Sequence, residues 1–173
     1  SMKGLARSLA RARPQASTAV RRQRIVVKDL AITTVGNGAS GVGWATAVAG
    51  DLPQGNILIL GAAAYLQIAK NPAASVQDAF DGDVSVGTAP TADNALAGAE
   101  VDLLPSTPLG AATAGVSPRV RMVNATQVMV DNTDDSLEVN INLLIDDANI
   151  SANDQVLKVN GIIDIAYLVM LDD

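Results

Sequence analysis

The feature that most constrains the fold is the alternation of apolar and polar residues in the last third of the sequence. The segment SLEVNINLLIDD places Leu137, Val139, Ile141 and Leu143 on one face of an extended chain. RVRMVNATQVMVDN alternates in the same way, and VLKVNGIIDIAYLVMLDD is a long apolar strand. Because amphipathic helix patterns are almost absent outside the N-terminal segment, the sequence predicts an all-β fold, an antiparallel β-sandwich or a jelly-roll-like barrel.

Turn signals divide the rest of the chain into one domain and an arm. RIVVKDLAITTV, GVGWATAVAGD and ILILGAAAYLQI predict further strands, and the glycine-rich residues 36–43 predict a flexible connector rather than a phosphate loop. DNTDDS predicts a hairpin turn, and the run from Asp81 to Asp83 predicts a bend. Residues 88–118 hold four of the seven prolines and predict a long loop excursion. We therefore expect a basic arm over residues 1–24 and a β domain over residues 25–173.

The charges are divided along the chain rather than mixed. The residues up to Lys28 include eight Lys and Arg and no acidic residue, whereas those from Asp29 onward carry four cations against 18 anions. A body with this charge repels nucleic acid, while the first segment is attracted to acidic surfaces or to phosphates. Composition does not separate a short amphipathic helix ending before Pro14 from an organellar transit peptide.

Two missing residue types restrict the possible chemistry. The sequence contains no histidine and no cysteine, so the commonest general base, the commonest metal ligand and any thiol nucleophile are absent. The carboxylates of Asp131, Asp134 and Asp135 lack the spacing of an EF-hand, which favours a solvated turn over a calcium site. We predict no enzymatic activity, no cofactor and no metal site.

The few aromatic residues and the short apolar runs exclude two further classes. Four scattered aromatic side chains do not form a platform for stacking bases or sugars, so we expect them in the core: Trp44, Tyr65, Phe80 and Tyr167. No apolar run approaches the ~20 residues of a membrane span. The sequence therefore predicts a soluble body without a membrane partner.

Three sequence segments, taken in their order along the chain, resemble a group of small head proteins of tailed bacteriophages. The segments are LPQGNILILGAAAYLQI, then DGDVSVGTAPTADNALAGAEVDLLPSTPLGAATAGV, then VDNTDDSLEVNINLLIDDANISANDQVLKVNGIIDIAYLVMLDD, and they cover about residues 51–173. The resemblance implies a virion structural or capsid-decoration protein that reinforces contacts between major capsid subunits, commonly as a trimer at local three-fold positions. It implies no residue-level site, and the basic arm lies outside the matching region.

Together these observations lead to the expectation of a non-enzymatic decoration, or cement, protein in the virion, whose arm clamps major capsid subunits. The alternative is a self-assembling viral coat protein, that is, a major capsid protein, whose arm contacts packaged nucleic acid. Eight charges are few for packaging, so nucleic acid is the less favoured partner. The residues predicted to bind capsid protein or a neighbouring copy are the cations of the arm: Lys3, Arg7, Arg11, Arg13, Arg21, Arg22 and Arg24.

Overall fold

A computed structural model describes residues 19–37, 42–70, 80–110, 117–146 and 155–170. These residues form nine strands and one short 3-10 turn, Gly98–Glu100. The strands are β1 (Arg21–Asn37), β2 (Val42–Asp51), β3 (Gly55–Lys70), β4 (Asp81–Gly87), β5 (Leu104–Pro108), β6 (Arg119–Asn124), β7 (Val128–Asn132), β8 (Glu138–Asp146) and β9 (Gln155–Met170). All their pairings are antiparallel, which confirms the predicted all-β class.

The strands form one sheet that folds back on itself. Its order is β5-β4-β8-β2-β1-β9-β3-β6, and β7 also pairs with β3. β1 connects two parts because its first residues pair with β9 and its last three with β2. We call these parts the β1-β9-β3 sheet, which includes β6 and β7, and the β2-β8-β4 sheet, which includes β5. The first and last strands of this order, β5 and β6, come together where Asn124 Nδ2 donates to the Leu103 carbonyl at 3.1 Å. The strands therefore form a nearly closed barrel.

Alternation along the strands explains where the core lies. In β3, Ala62, Ala64, Leu66 and Ile68 point inward, and the residues between them point outward. Burial of each large apolar side chain contributes about 1.5–3 kcal/mol. The fully buried large side chains come from both sheets and include Ile32, Ile57, Ile59, Leu66, Ile68, Ile141, Leu143 and Ile145.

The outer face of β4 and β8 is covered by residues 88–103 of the chain itself. Asn142 is fully buried there, and its Nδ2 donates to the carbonyls of Ala89 and Glu100, both at 3.0 Å. Its Oδ1 accepts from the Thr91 amide at 2.9 Å. The predicted loop excursion therefore contains a 3-10 turn and β5 and is anchored to the sheet by buried amides.

Three local predictions differ from the structure. DNTDDS does form a turn, but it is not a hairpin, because β7 pairs with β3 while β8 pairs with β2 and β4. The expected bend at Asp81 to Asp83 is instead the start of β4, where Gly82 has a φ of +144° and approaches the Leu144 carbonyl too closely for any Cβ. β1 begins at Arg21, inside the segment expected to be arm, because residues 21–24 continue the pairing with β9.

The aromatic side chains divide between the core and the surface. Phe80 and Tyr167 are buried, as predicted, and Trp44 is half-buried. The prediction for Tyr65 is wrong: its side chain occupies an outward position of β3 and is 44% exposed. Within the described ranges, no helix has the length and apolar character needed to cross a membrane.

Candidate protein-interaction surface

The outer face of the β1-β9-β3 sheet is exposed and unusually apolar. No described segment covers it, in contrast to the outer face of β4 and β8. Six of the nine large exposed apolar side chains in the described residues lie on this face: Val26, Tyr65, Val123, Met129, Ile162 and Met170. Contiguous apolar exposure on a protein surface is typical of a binding site.

Strand register places three of these residues in one row across the sheet. Val26 pairs with Ile162, and Ile162 pairs with Tyr65. Their exposed fractions are 69%, 38% and 44%. The row ends at Arg121 of β6, whose guanidinium lies 5.6 Å from the centre of the Tyr65 ring and makes a cation–π contact. The row therefore combines an apolar surface with a fixed cation.

A shallow depression of about 410 Å³ lies beside this row. Its lining includes Ala63, Tyr65 and Val123, with Arg24 on the β1 side, Arg121 on the β6 side and the Asp164 carboxylate on β9 between those strands. Small residues at the centre leave room for a protruding group, while the two guanidinium groups attract a negative one. We call this depression the arginine groove.

One carboxylate orients the arginines of β1. Asp164 Oδ1 accepts from Arg24 Nε at 2.9 Å, and Asp164 Oδ2 lies 2.8 Å from Arg22 Nη2. Hydrogen bonds from Arg24 and then Arg22 lower the pKa of Asp164 to about 2 from its ordinary 3.8. The same contacts raise the pKa of Arg24. Asp164 lines the arginine groove together with Arg24 and Arg121, so two cations and one anion leave a net charge of +1 there.

Charge is segregated between the two parts of the barrel. Every Lys and Arg in the described ranges lies on a strand of the β1-β9-β3 sheet. Ten of the 13 Asp and Glu residues in those ranges lie on the other sheet, on the loops or on the turn before β8. All the ion pairs among the described residues end on Asp164. The other described charges form no ion pair within the described ranges.

The turn from Asp131 to Glu138 is an acidic projection with a fixed conformation. Its support is Asn132, a fully buried residue whose Nδ2 donates to the Leu52 and Pro53 carbonyls and whose Oδ1 accepts from the Leu137 amide. The exposed members form local bonds of their own: Asp131 with Thr133, and Asp134 with Ser136. We call this segment the acidic turn.

Local hydrogen bonds favour the ionised form of Asp131 in the acidic turn. The hydroxyl and then the amide of Thr133 donate to Asp131 and lower the pKa of that carboxyl. The described residues contain no group of three or more acidic side chains arranged to hold a metal ion.

The predicted arm residues fall into two groups. Lys3, Arg7, Arg11 and Arg13 lie outside the described residues. Arg21, Arg22 and Arg24 lie on β1, and the last two bind Asp164 of the same chain. Their proposed role in binding a partner stays a prediction.

Sequence reasoning missed the residues of β6 and β9 that complete this surface. RVRMV places Arg119 and Arg121 two positions apart, and therefore on one face of a strand, which was a usable signal. Asp164 is the single acidic residue in the apolar run GIIDIAYLVM. The residues next to Asp164 in the sequence do not indicate that it lies beside Arg24, because the pairing of β1 with β9 determines that contact.

Comparison with known proteins finds distant structural likeness only. No protein-family model matches the sequence, and no curated protein matches it significantly. Among solved structures, the chain is similar to the VP2 subviral particle of infectious bursal disease virus, with a TM-score of 0.43 and 12% identity over 87% of this chain and 33% of that one. A structure of the Gx strain of that virus gives a TM-score of 0.41 and 12% identity, covering 87% of this chain and 32% of that one.

T=1 particles derived from the same virus give a TM-score of 0.40 and 13% identity, over 87% of this chain and 32% of that one. The chain therefore spans about a third of the length of these proteins. Identities this low relate the folds alone and carry no information about a shared partner or activity.

Proposed function

We propose that this chain is a non-enzymatic structural protein of a virion, where it binds neighbouring capsid subunits. The observation that carries the proposal is the outer face of the β1-β9-β3 sheet, which no described segment covers, with its apolar row beside Arg121. Exposing such a face costs solubility unless a partner covers it. A barrel whose described segments cover one sheet and leave the other open suits a subunit that attaches to a shell.

The specific form that we propose is a decoration, or cement, protein on the head of a tailed bacteriophage. This form rests on the resemblance of residues 51–173 to such proteins and on the cations of the first segment. In this role the basic arm extends over acidic surfaces of the major capsid protein, and a homotrimer multiplies the weak contacts of each arm through effective concentration.

The test is the occupancy of capsids that lack the chain, measured by cryo-electron microscopy after the purified protein is added. We expect saturable binding at symmetry-related positions. Removal of residues 3–18 should lower occupancy while leaving β1 and its contacts with Asp164 in place. A length-matched control replaces Lys3, Arg7, Arg11 and Arg13 with glutamine; it should lower occupancy as the deletion does. Absence of binding to capsids at any salt concentration would refute the proposal.

The segregation of charge favours one alternative, a coat protein that assembles with copies of itself. Cations on one sheet and anions elsewhere allow like chains to attract each other. In that case the arm faces packaged nucleic acid, and its affinity for any nucleic acid falls steeply as salt rises. Formation of closed shells by the pure chain would favour this alternative over the decoration role.

A further inference from the structure

We propose that copies of this chain associate head to tail, with the acidic turn of one copy bound to the arginine groove of the next. This inference deepens the proposed function, because it names a surface through which subunits bind. It commits to a second copy as the occupant of the groove on the ground of charge complementarity.

The arginine groove has the properties of a docking site. Its exposed apolar residues gain from being covered, and Arg121 is held in place by the Tyr65 ring. Arg24 is oriented by Asp164, while Arg119 and Arg121 form no ion pair among the described residues. A group that enters the groove meets the guanidinium groups of Arg24 and Arg121 and the carboxylate of Asp164, and the remaining single positive charge favours an anionic partner.

The acidic turn has the matching properties. Asp131, Asp134, Asp135 and Glu138 are exposed and form no ion pair within the described part of the chain. Because Asn132 fixes the turn from beneath, little conformational entropy is lost when the turn binds. The turn is preorganised for a cationic surface.

The two features cannot neutralise each other within one chain. Gly55 pairs with Asn132 at one end of β3, whereas Tyr65 pairs with Arg121 ten residues further along. At the rise of a β-strand this separation is about 33 Å, several times the Debye length at physiological salt. The attraction is therefore satisfied between copies.

The arrangement of charge restricts the symmetry of the contact. A two-fold contact that places one arginine groove against another brings cations together and is unfavourable, so the groove of one copy faces the acidic turn of the other. A head-to-tail contact joins unlike surfaces and forms a ring when the rotation between copies closes. Such a ring is consistent with the trimer expected of a decoration protein.

The decisive experiment exchanges charges between the two surfaces and measures association by sedimentation equilibrium. The variants are Arg121→Glu and Asp134→Lys, compared with the wild-type chain at low and high salt. We expect each variant alone to weaken association about tenfold or more, since attraction becomes repulsion. An equal mixture of the two variants should again form dimers and even-membered assemblies, because each provides the surface that the other lacks; a ring of three cannot alternate the two variants. The double variant should also associate.

A charge-matched control is Asp93→Lys, at an exposed position on the covered side of the barrel; it should associate as the wild type does. Unchanged circular dichroism and melting temperature establish that the variants fold. The inference is overturned if the folded wild type is monomeric at about 100 µM and low salt, if either single variant associates normally, or if the mixture does not recover. A wild-type monomer that still occupies capsids would refute this interface and leave the proposed function standing.

Discussion

Replacing Asp164 with asparagine tests the ion-pair network at the edge of the arginine groove. A pKa of about 2 instead of 3.8 sets an upper bound of ~2.4 kcal/mol on the stabilisation at neutral pH. The side chains of Arg22 and Arg24 are 62% and 54% exposed, so solvent screening reduces the contribution to about 1 kcal/mol. For a chain of this length that loss lowers the melting temperature by about 2–4 °C.

The pH dependence makes the prediction specific to the carboxylate. The folded-state pKa is depressed, so the stabilisation is present above the ordinary pKa and is lost as the pH falls from about 4 to about 2. Urea denaturation of the wild type and Asp164→Asn should therefore differ at pH 7 and converge near pH 2. Asp93→Asn, a carboxylate without an ion pair among the described residues, is the control and should differ little from wild type at either pH. A difference between Asp164→Asn and wild type that persists undiminished at pH 2 would show that the effect is not electrostatic.

Three further predictions concern the stability of the barrel, each measured by urea denaturation at pH 7. Gly161→Ala should lower the free energy of unfolding by about 3 kcal/mol or more, because Gly161 has a φ of +148° and a Cβ would overlap the Tyr65 carbonyl. The control Gly98→Ala, at a position with a φ of +59° and open space, should lower it by only about 1–2 kcal/mol. Equal losses in the two variants would contradict the steric reason. Asn132→Ala should cost about 2–4 kcal/mol, since buried backbone groups lose their partners; a neutral result would mean that water replaces the amide. Leu143→Ala should cost about 3 kcal/mol, because the side chain is fully buried, and a loss below 1 kcal/mol would show that the core collapses around the cavity.

The strands were predictable because their signal is local. The inward positions of β3 and β8, such as Leu66 and Ile141, alternate with outward ones, and the same alternation is visible in the sequence. The pairing of the strands was not predictable in this way. The turn after Asn132 has the composition of a hairpin, yet it carries the chain from one sheet to the other, because the partners of β7 and β8 are chosen by distant segments.

The interaction surface was predictable only in part. The cations of β1 were identified from their charge, but their contact with Asp164 depends on the register of strands far apart in sequence. Tyr65 was assigned to the core because aromatic residues usually lie there. Its outward direction follows from the buried neighbours Ala64 and Leu66, and the alternation of β3 contained that information.

The position of β9 has a consequence for how the chain folds. β9 lies between β1 and β3, and the contact between Arg22 and Asp164 spans 142 residues. Until β9 has been synthesised, β1 and β3 lack the strand that joins them, and both expose unpaired backbone edges on the nascent chain. The sheet therefore closes late and slowly, as expected for a fold of high contact order. During that interval the open edges are exposed to aggregation, which favours protection of the emerging chain by a chaperone.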